Sequence, residues 1–162
     1  MKNSYTLVEL IMIISITIIL LVLAIANYRS YERTLTLSNE AEKLVSFLAE
    51  AKSKALSRAL TDREEFSAFG IHLSSPNSYF LFADTDGNLV YNNGDKIISS
   101  RTTQLIDLTS PFQDFTFLVP EGEIYFNGAT STEPVEITLT HQQTKETKIV
   151  HLSPLGAVEI LK

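Results

Sequence analysis

A long apolar run close to the N-terminus constrains this chain more than any other feature of its sequence. From Leu10 to Ala26 the polar interruptions are Ser15 and Thr17, and counted from Leu7 the run is 20 residues long. As an α-helix it would extend about 30 Å, the thickness of a bilayer core. The run therefore predicts a helix that can cross a membrane.

Three interpretations of this segment are open from its residues. One is a plain membrane anchor, and a second is a secretory signal peptide that starts at Lys2 and is cut after Ala24-Ile25-Ala26. The third is a leader that is cut near Ser4 and retains the apolar helix. Glu9 favours the third, because signal peptides carry positive charge ahead of the apolar run. A carboxylate costs about 2.5–3.5 kcal/mol at the bilayer centre and less near the interface, so it needs a partner.

The stretch Ser4-Tyr5-Thr6-Leu7-Val8-Glu9-Leu10 resembles the processing motif of type IV prepilins. The resemblance implies cleavage between Ser4 and Tyr5 by a prepilin peptidase, often with methylation of the new amino terminus. It also implies that Glu9 attracts the N-terminal amine of an adjacent subunit during assembly. Most members of the family have glycine where Ser4 stands, and many have proline where Ala26 stands.

Helical periodicity continues beyond the apolar run. An apolar stripe recurs at steps of three and four residues, which predicts a helix face packed against a sheet. The stripe comprises Leu37, Ala41, Leu44, Val45, Leu48, Ala51, Ala55, Leu56 and Ala59. The opposite, charged face comprises Glu40, Glu42, Lys43, Glu50, Lys52, Lys54 and Arg58. We expect the helix to end between Thr61 and Glu65.

The rest of the chain has the composition of a turn-rich β region. All six glycines and all five prolines lie from Gly70 onward, and short β-branched and aromatic segments alternate with turns. The predicted strands are Phe69–Leu73, Tyr79–Ala83, Asn88–Tyr91, Thr103–Leu108, Phe115–Val119, Glu123–Asn127, Val135–Thr140, Thr147–Leu152 and Ala157–Ile160. Val135–Thr140 alternates apolar with polar residues and should pair with Thr147–Leu152 across the turn at Gln142–Lys145.

These elements predict an α+β fold. One long N-terminal helix with a hydrophobic first half would pack on a C-terminal antiparallel β-sheet domain, which is the architecture of pilins. Residues 40–162 also resemble the GspH/FimT-type domain of minor pseudopilins, through Glu50–Ala55, Phe82–Asn88 followed by Gly94-Asp95, and Leu152–Gly156. The expected organisation is a leader over 1–4, a transmembrane and filament-core helix over 5–27, its amphipathic continuation over 28–65 and a β domain over 66–162.

One acidic segment is a candidate cation site. Asp84, Asp86 and Asn88 place oxygens at alternating positions, with Asp95 downstream, and such spacing can hold Ca²⁺. A β-hairpin turn at Asp86-Gly87 explains the same residues and is the favoured interpretation. No other metal site and no cofactor is predicted.

Nothing in the sequence predicts catalysis. The chain has no cysteine, and it contains no nucleophile-elbow, phosphate-loop or zinc-protease motif. The three histidines, His72, His141 and His151, lack metal-type spacing, so structural or surface roles are expected.

Charge distribution argues against a nucleic-acid partner. Residues 64–162 carry five basic and thirteen acidic side chains, a net charge of −8 that repels phosphates. Some FimT-like minor pilins take up DNA through basic residues near the C-terminus, but this chain ends Glu159-Ile160-Leu161-Lys162.

The leading hypothesis is a minor pilin or pseudopilin of a type IV pilus or a type II secretion pseudopilus. Its implied partners are other pilin subunits, the prepilin peptidase, the inner-membrane assembly platform and, before assembly, membrane lipid. It would cross the cytoplasmic membrane once with its N-terminus in the cytoplasm. The alternative is a secreted β-rich binding module released by signal peptidase after Ala26; a membrane-tethered enzyme has no supporting motif.

Overall fold

The structure, a computed structural model, describes residues 6–58 and 66–161. A long helix, α1, covers Leu7–Arg58, and the first strand begins at Ala68. The chain forms two compact units, Met1–Thr36 and Leu37–Lys162, and α1 contributes residues to both. The predicted helix end between Thr61 and Glu65 lies outside the described residues.

The first unit contains the apolar run. Leu7–Ile25 forms 19 helical residues with a mean hydropathy of 3.0, and none of them is buried within the protein. By length and composition this helix can cross a membrane, as the sequence predicts. Its large apolar side chains are exposed on the helix surface.

In the part of the second unit that the structure describes, the end of α1 is followed by nine antiparallel strands. The strands are β1 (Ala68–Ser75), β2 (Ser78–Asp84), β3 (Lys96–Thr102), β4 (Ile106–Thr109), β5 (Asp114–Leu118), β6 (Ile124–Phe126), β7 (Val135–His141), β8 (Thr147–Leu152) and β9 (Val158–Leu161). They form a five-stranded sheet in the order β3-β2-β1-β5-β6 and a four-stranded sheet in the order β4-β7-β8-β9. The predicted α+β class is therefore confirmed, with two sheets in the β domain.

A single hydrophobic core joins the helix to both sheets. The helix contributes its apolar stripe, of which six residues are at most 2 % exposed: Leu37, Ala41, Leu44, Leu48, Ala51 and Ala55. The five-stranded sheet contributes Ile71, Leu81 and Phe117, and the four-stranded sheet contributes Ile137 and Leu139. The sequence prediction that this stripe packs against a sheet is confirmed for these six residues, whereas Leu56 is 44 % exposed.

One predicted strand is wrong, and one strand was not predicted. Asn88–Tyr91 lies in the long β2–β3 connection and pairs with no strand. Leu89 has a φ of 62°, which breaks an extended conformation. Besides β1, β2 pairs with β3, Lys96–Thr102, whose polar composition gave no strand signal. Elsewhere the predicted strands overlap the observed ones; Thr103–Leu108 is displaced, since β4 begins at Ile106.

Glu40 is also misplaced by the sequence pattern. It was assigned to the charged face of the helix, but the structure leaves only 9 % of it exposed. Position 40 lies three residues after Leu37 and four before Leu44, so it belongs geometrically to the apolar stripe. The pattern assigned it outward because it is charged.

Candidate functional site

The apolar helix begins with a capping box formed by Thr6 and Glu9. The Thr6 backbone N–H and hydroxyl donate to Glu9 Oε2 at 2.9 and 3.0 Å. The Glu9 backbone N–H in turn lies 3.3 Å from Thr6 Oγ1. This reciprocal arrangement satisfies two donors that have no helical partner. Within the described residues, both bonds to the carboxylate end on Oε2, so Oε1 is available to accept from another group.

The two hydroxyls within the apolar run are satisfied by the helix itself. Ser15 donates to the Ile11 carbonyl and Thr17 to the Ile13 carbonyl, each at 2.8 Å. A hydroxyl bonded in this way adds little cost in hydrocarbon. Glu9 is therefore the one residue of Leu7–Ile25 that brings an ionisable group to this surface.

The predicted processing residues Ser4 and Tyr5 lie outside the described part of the chain. Cleavage between them and methylation of Tyr5 stay predictions. Glu9 is described and lies in the first turn of α1, and its role in assembly stays a prediction.

The acidic segment forms the connection between β2 and β3. One oxygen from each of Asp84, Asp86 and Asp95 lies within 4.8 Å of the others, so the structure brings together three of the four predicted cation ligands. Asp84 is fully buried. Its Oδ1 accepts the backbone N–H groups of Asp86 and Gly87, at 3.1 and 2.8 Å, and its Oδ2 accepts that of Leu89 at 2.9 Å.

The other two carboxylates organise the same loop. Asp95 accepts the Thr85 backbone N–H at 3.0 Å and the Asn92 backbone N–H at 2.9 Å. Asp86 accepts the side-chain amides of Asn88 and Asn92, both at 2.9 Å. All three acids therefore already serve as hydrogen-bond acceptors for the loop. The favoured interpretation, a β-hairpin turn at Asp86-Gly87, is wrong in its bounds, because the connection runs on to Lys96 before the next strand begins.

Burial and hydrogen bonding shift the pKa values of Asp84 and Asp86 in opposite directions. Burial raises the pKa of Asp84, against the hydrogen bonds from Leu89, Gly87 and Asp86 N–H groups that lower it. For Asp86, burial also acts to raise the pKa, but hydrogen bonds from Asn88, Asp84 and Asn92 outweigh it and the pKa is lowered.

The loop closes over the outer face of the five-stranded sheet. Tyr91 packs on Phe80 with ring centroids 4.6 Å apart and on Phe82 at 5.5 Å. Its backbone N–H donates to Asp114 Oδ1 at 3.2 Å, and the same oxygen lies 2.8 Å from His72 Nδ1. This contact explains why apolar residues at 89–91 do not form a strand.

Two of the three histidines, His72 and His141, make hydrogen bonds or ring contacts inside the β domain. His72 lies between Asp114 and the aromatic rings of Phe80 and Tyr91. His141 is buried, and its Nδ1 accepts the backbone N–H groups of Gln143 and Thr144 at 3.3 Å. Among the residues that the structure describes, no histidine joins the three clustered aspartates.

Comparisons with known proteins rest on the fold. No protein-family model matches this chain, and no curated protein matches it by sequence. The type IV minor pilin FimU of Pseudomonas aeruginosa superposes with a TM-score of 0.56 and 14 % identity over 78 % of this chain and 88 % of FimU. The chain has a pilin-like fold. The minor pseudopilin EpsH from the type 2 secretion system of Vibrio cholerae superposes with a TM-score of 0.53 and 13 % identity, over 77 % of this chain and 95 % of EpsH.

The pilin-like fold agrees with the resemblance found in the sequence. Both matched proteins are described as minor subunits, one of a pilus and one of a secretion system. The fold class predicted from the sequence, a long helix before an antiparallel β domain, is the one they share.

Proposed function

We propose that this pilin-like chain is a minor subunit of a type IV pilus or of a type II secretion pseudopilus. The observation that supports the proposal most directly is the pairing of two features. An exposed apolar helix with one carboxylate, Glu9, precedes a β domain with a minor-pilin fold. An exposed apolar surface of this size needs lipid or protein around it.

In this proposal the helix has two successive environments. Before assembly, Leu7–Ile25 crosses the cytoplasmic membrane once, with its N-terminus in the cytoplasm and the β domain on the other side. During assembly the same surface packs against neighbouring pilin subunits, with the inner-membrane platform as the place of exchange. Side chains that are 47–75 % exposed in the isolated chain, such as Ile25 and Leu7, become buried in either environment.

Cleavage of the leader creates the amine that pairs with Glu9 during assembly. The prepilin peptidase cuts between Ser4 and Tyr5, and the new Tyr5 amine is a cation. Glu9 Oε1 accepts a hydrogen bond from the corresponding amine of an adjacent subunit, while Oε2 keeps its capping bonds to Thr6. Two opposite charges in apolar surroundings are costly alone and tolerable when paired. The pair thereby sets the axial position of one helix against the next.

The mature N-terminus tests the processing step. We would express the full chain with and without a prepilin peptidase and determine the N-terminal residue by mass spectrometry. Tyr5, with or without a methyl group, is expected when the peptidase is present, and Met1 when it is absent. An N-terminus at Asn27 would instead identify the secreted β-rich module and overturn the proposal.

Two substitutions of Glu9 separate its charge from its capping role. Glu9→Gln keeps a side-chain oxygen for the capping box but removes the charge, because glutamine also caps helices in this position. Glu9→Val removes both. We expect both variants to insert into membranes and both to be absent from the sheared filament fraction, whereas Glu32→Val, on the same helix, should be incorporated normally. Incorporation of Glu9→Gln at the parent level would show that the proposed charge pair is wrong.

A further inference from the structure

Glu40, the acid that the helix pattern misplaced, belongs to a polar junction between α1 and the edge of the five-stranded sheet. Glu40 Oε1 accepts a hydrogen bond from Lys43 Nζ at 2.8 Å. Its other oxygen, Oε2, faces Arg101 Nε of β3 at 3.5 Å, longer than the usual 2.7–2.9 Å of a charge-assisted hydrogen bond. Tyr79 of β2 lies directly opposite Arg101 in the strand pairing.

Three polar atoms at this junction are buried and make no hydrogen bond to any residue that the structure describes, although two of them form the 3.5 Å ion pair between Glu40 and Arg101. They are Glu40 Oε2, the Tyr79 hydroxyl and Arg101 Nε. Tyr79 is only 1 % exposed, and its ring packs edge-on against Phe47 of α1 at 5.2 Å, so its hydroxyl cannot turn to solvent. Such orphaned groups are rare in folded proteins, because each one carries the full cost of its desolvation.

The three atoms complement one another as donors and acceptors. Arg101 Nε–H can only donate, Glu40 Oε2 can only accept, and the Tyr79 hydroxyl can donate. Burial raises the pKa of Tyr79 to about 12, so the hydroxyl keeps its proton at neutral pH. A ligand for this junction must be small and neutral, and the same molecule must both accept and donate hydrogen bonds. Water has this chemistry, and buried waters typically make about three such bonds.

We propose that the junction is a binding site for one structural water molecule, which accepts from the Tyr79 hydroxyl and Arg101 Nε–H and donates to Glu40 Oε2. The water thereby ties the edge strand β3 to α1. The site is independent of the proposed assembly function, since it involves the second unit alone. It also explains why a charged residue occupies a position of the apolar stripe.

Tyr79→Phe tests the site by the sign of its effect on the full chain in detergent. If the water is bound, the substitution removes one of its partners, and the melting temperature should fall by roughly 2–4 °C. If the hydroxyl has no partner, its removal relieves a desolvation cost, and the melting temperature should rise or stay unchanged; either result overturns the proposal. Tyr125→Phe is the matched control. The Tyr125 hydroxyl makes one long, exposed contact of 3.5 Å with Glu123, so its removal should change the melting temperature little.

A double-mutant comparison and a direct observation complete the test. The double variant Tyr79→Phe with Glu40→Gln should lower the melting temperature by less than the sum of the decreases that the two single variants cause. Both substitutions act on the same water, so their effects overlap. Strictly additive changes would contradict a shared ligand. In a high-resolution crystal structure we expect an ordered water about 2.7–3.2 Å from all three atoms, and a dry junction there would refute the site.

Discussion

Gly70 offers a sharp test of how the outer face of the five-stranded sheet is packed. It lies in β1 directly opposite Phe82 of β2 and Thr116 of β5. A Cβ atom at this position would meet Phe82 Cε1 at 2.8 Å and the Phe115 backbone oxygen at 2.9 Å. Phe82 is fully buried under Tyr91, so its ring has no open space to enter.

Two opposing effects decide the outcome of Gly70→Ala. Alanine in a strand interior is favoured over glycine by about 0.5–1 kcal/mol, because glycine loses more backbone freedom on folding. Overpacking costs about 1–3 kcal/mol, and here the upper part of that range applies because one of the two contacts is a backbone atom. We therefore expect a net loss of about 1–2 kcal/mol, or roughly 2–8 °C in melting temperature.

Thermal unfolding of the full chain in detergent, followed by circular dichroism, measures this loss. Gly94→Ala is the control, because its Cβ would meet only the side-chain oxygen of Asn92, at 3.0 Å, and that atom can move. Gly70→Ala should cost less in a Phe82→Leu background than in the parent, because the ring that meets the new Cβ atom is absent there. If Gly70→Ala melts at or above the parent temperature, the close approach of Phe82 and Phe115 to Gly70 is wrong.

The β2–β3 loop supports two more predictions. Asp84→Asn should lower the free energy of unfolding by about 1–3 kcal/mol, because an amide NH2 cannot accept the N–H groups that both oxygens of Asp84 accept; chemical denaturation would measure this, and a variant as stable as the parent would contradict it. Calcium at about 1 mM should change the melting temperature by less than about 1 °C, because Asp84, Asp86 and Asp95 already hold the loop. A larger rise that Asp95→Asn abolishes would instead identify a calcium site.

Elements with strong local patterns were predictable from the sequence. The strand Thr147–Leu152 was predicted with its observed bounds, and it pairs with β7 as its alternating pattern suggests. The helical stripe was predictable because spacing on a helix is a property of neighbouring residues. β3 was not predictable, because an edge strand needs few apolar residues and its sequence, Lys-Ile-Ile-Ser-Ser-Arg-Thr, carries little alternation.

The candidate site also has some features that the sequence predicts and others that it does not. The apolar helix and Glu9 are evident in the sequence, since helix length, hydropathy and the Thr6–Glu9 capping spacing are all local. The spacing of Asp84, Asp86 and Asp95 suggested that they cluster. It gave no sign that their oxygens accept hydrogen bonds from the loop backbone. The junction of Glu40, Tyr79 and Arg101 had no sequence signal, because its members come from three elements.

The sequence by itself determined that this chain has a membrane-length apolar helix, one carboxylate at its start and a β domain after it. Those features follow from hydropathy, charge and turn residues, which act over a few positions. Only the tertiary structure decided that the strands divide between two sheets, that residues 88–91 cover a sheet face and that Glu40 is buried. Each of these depends on pairing between residues distant in the chain, where the free energy of packing overrides local preference.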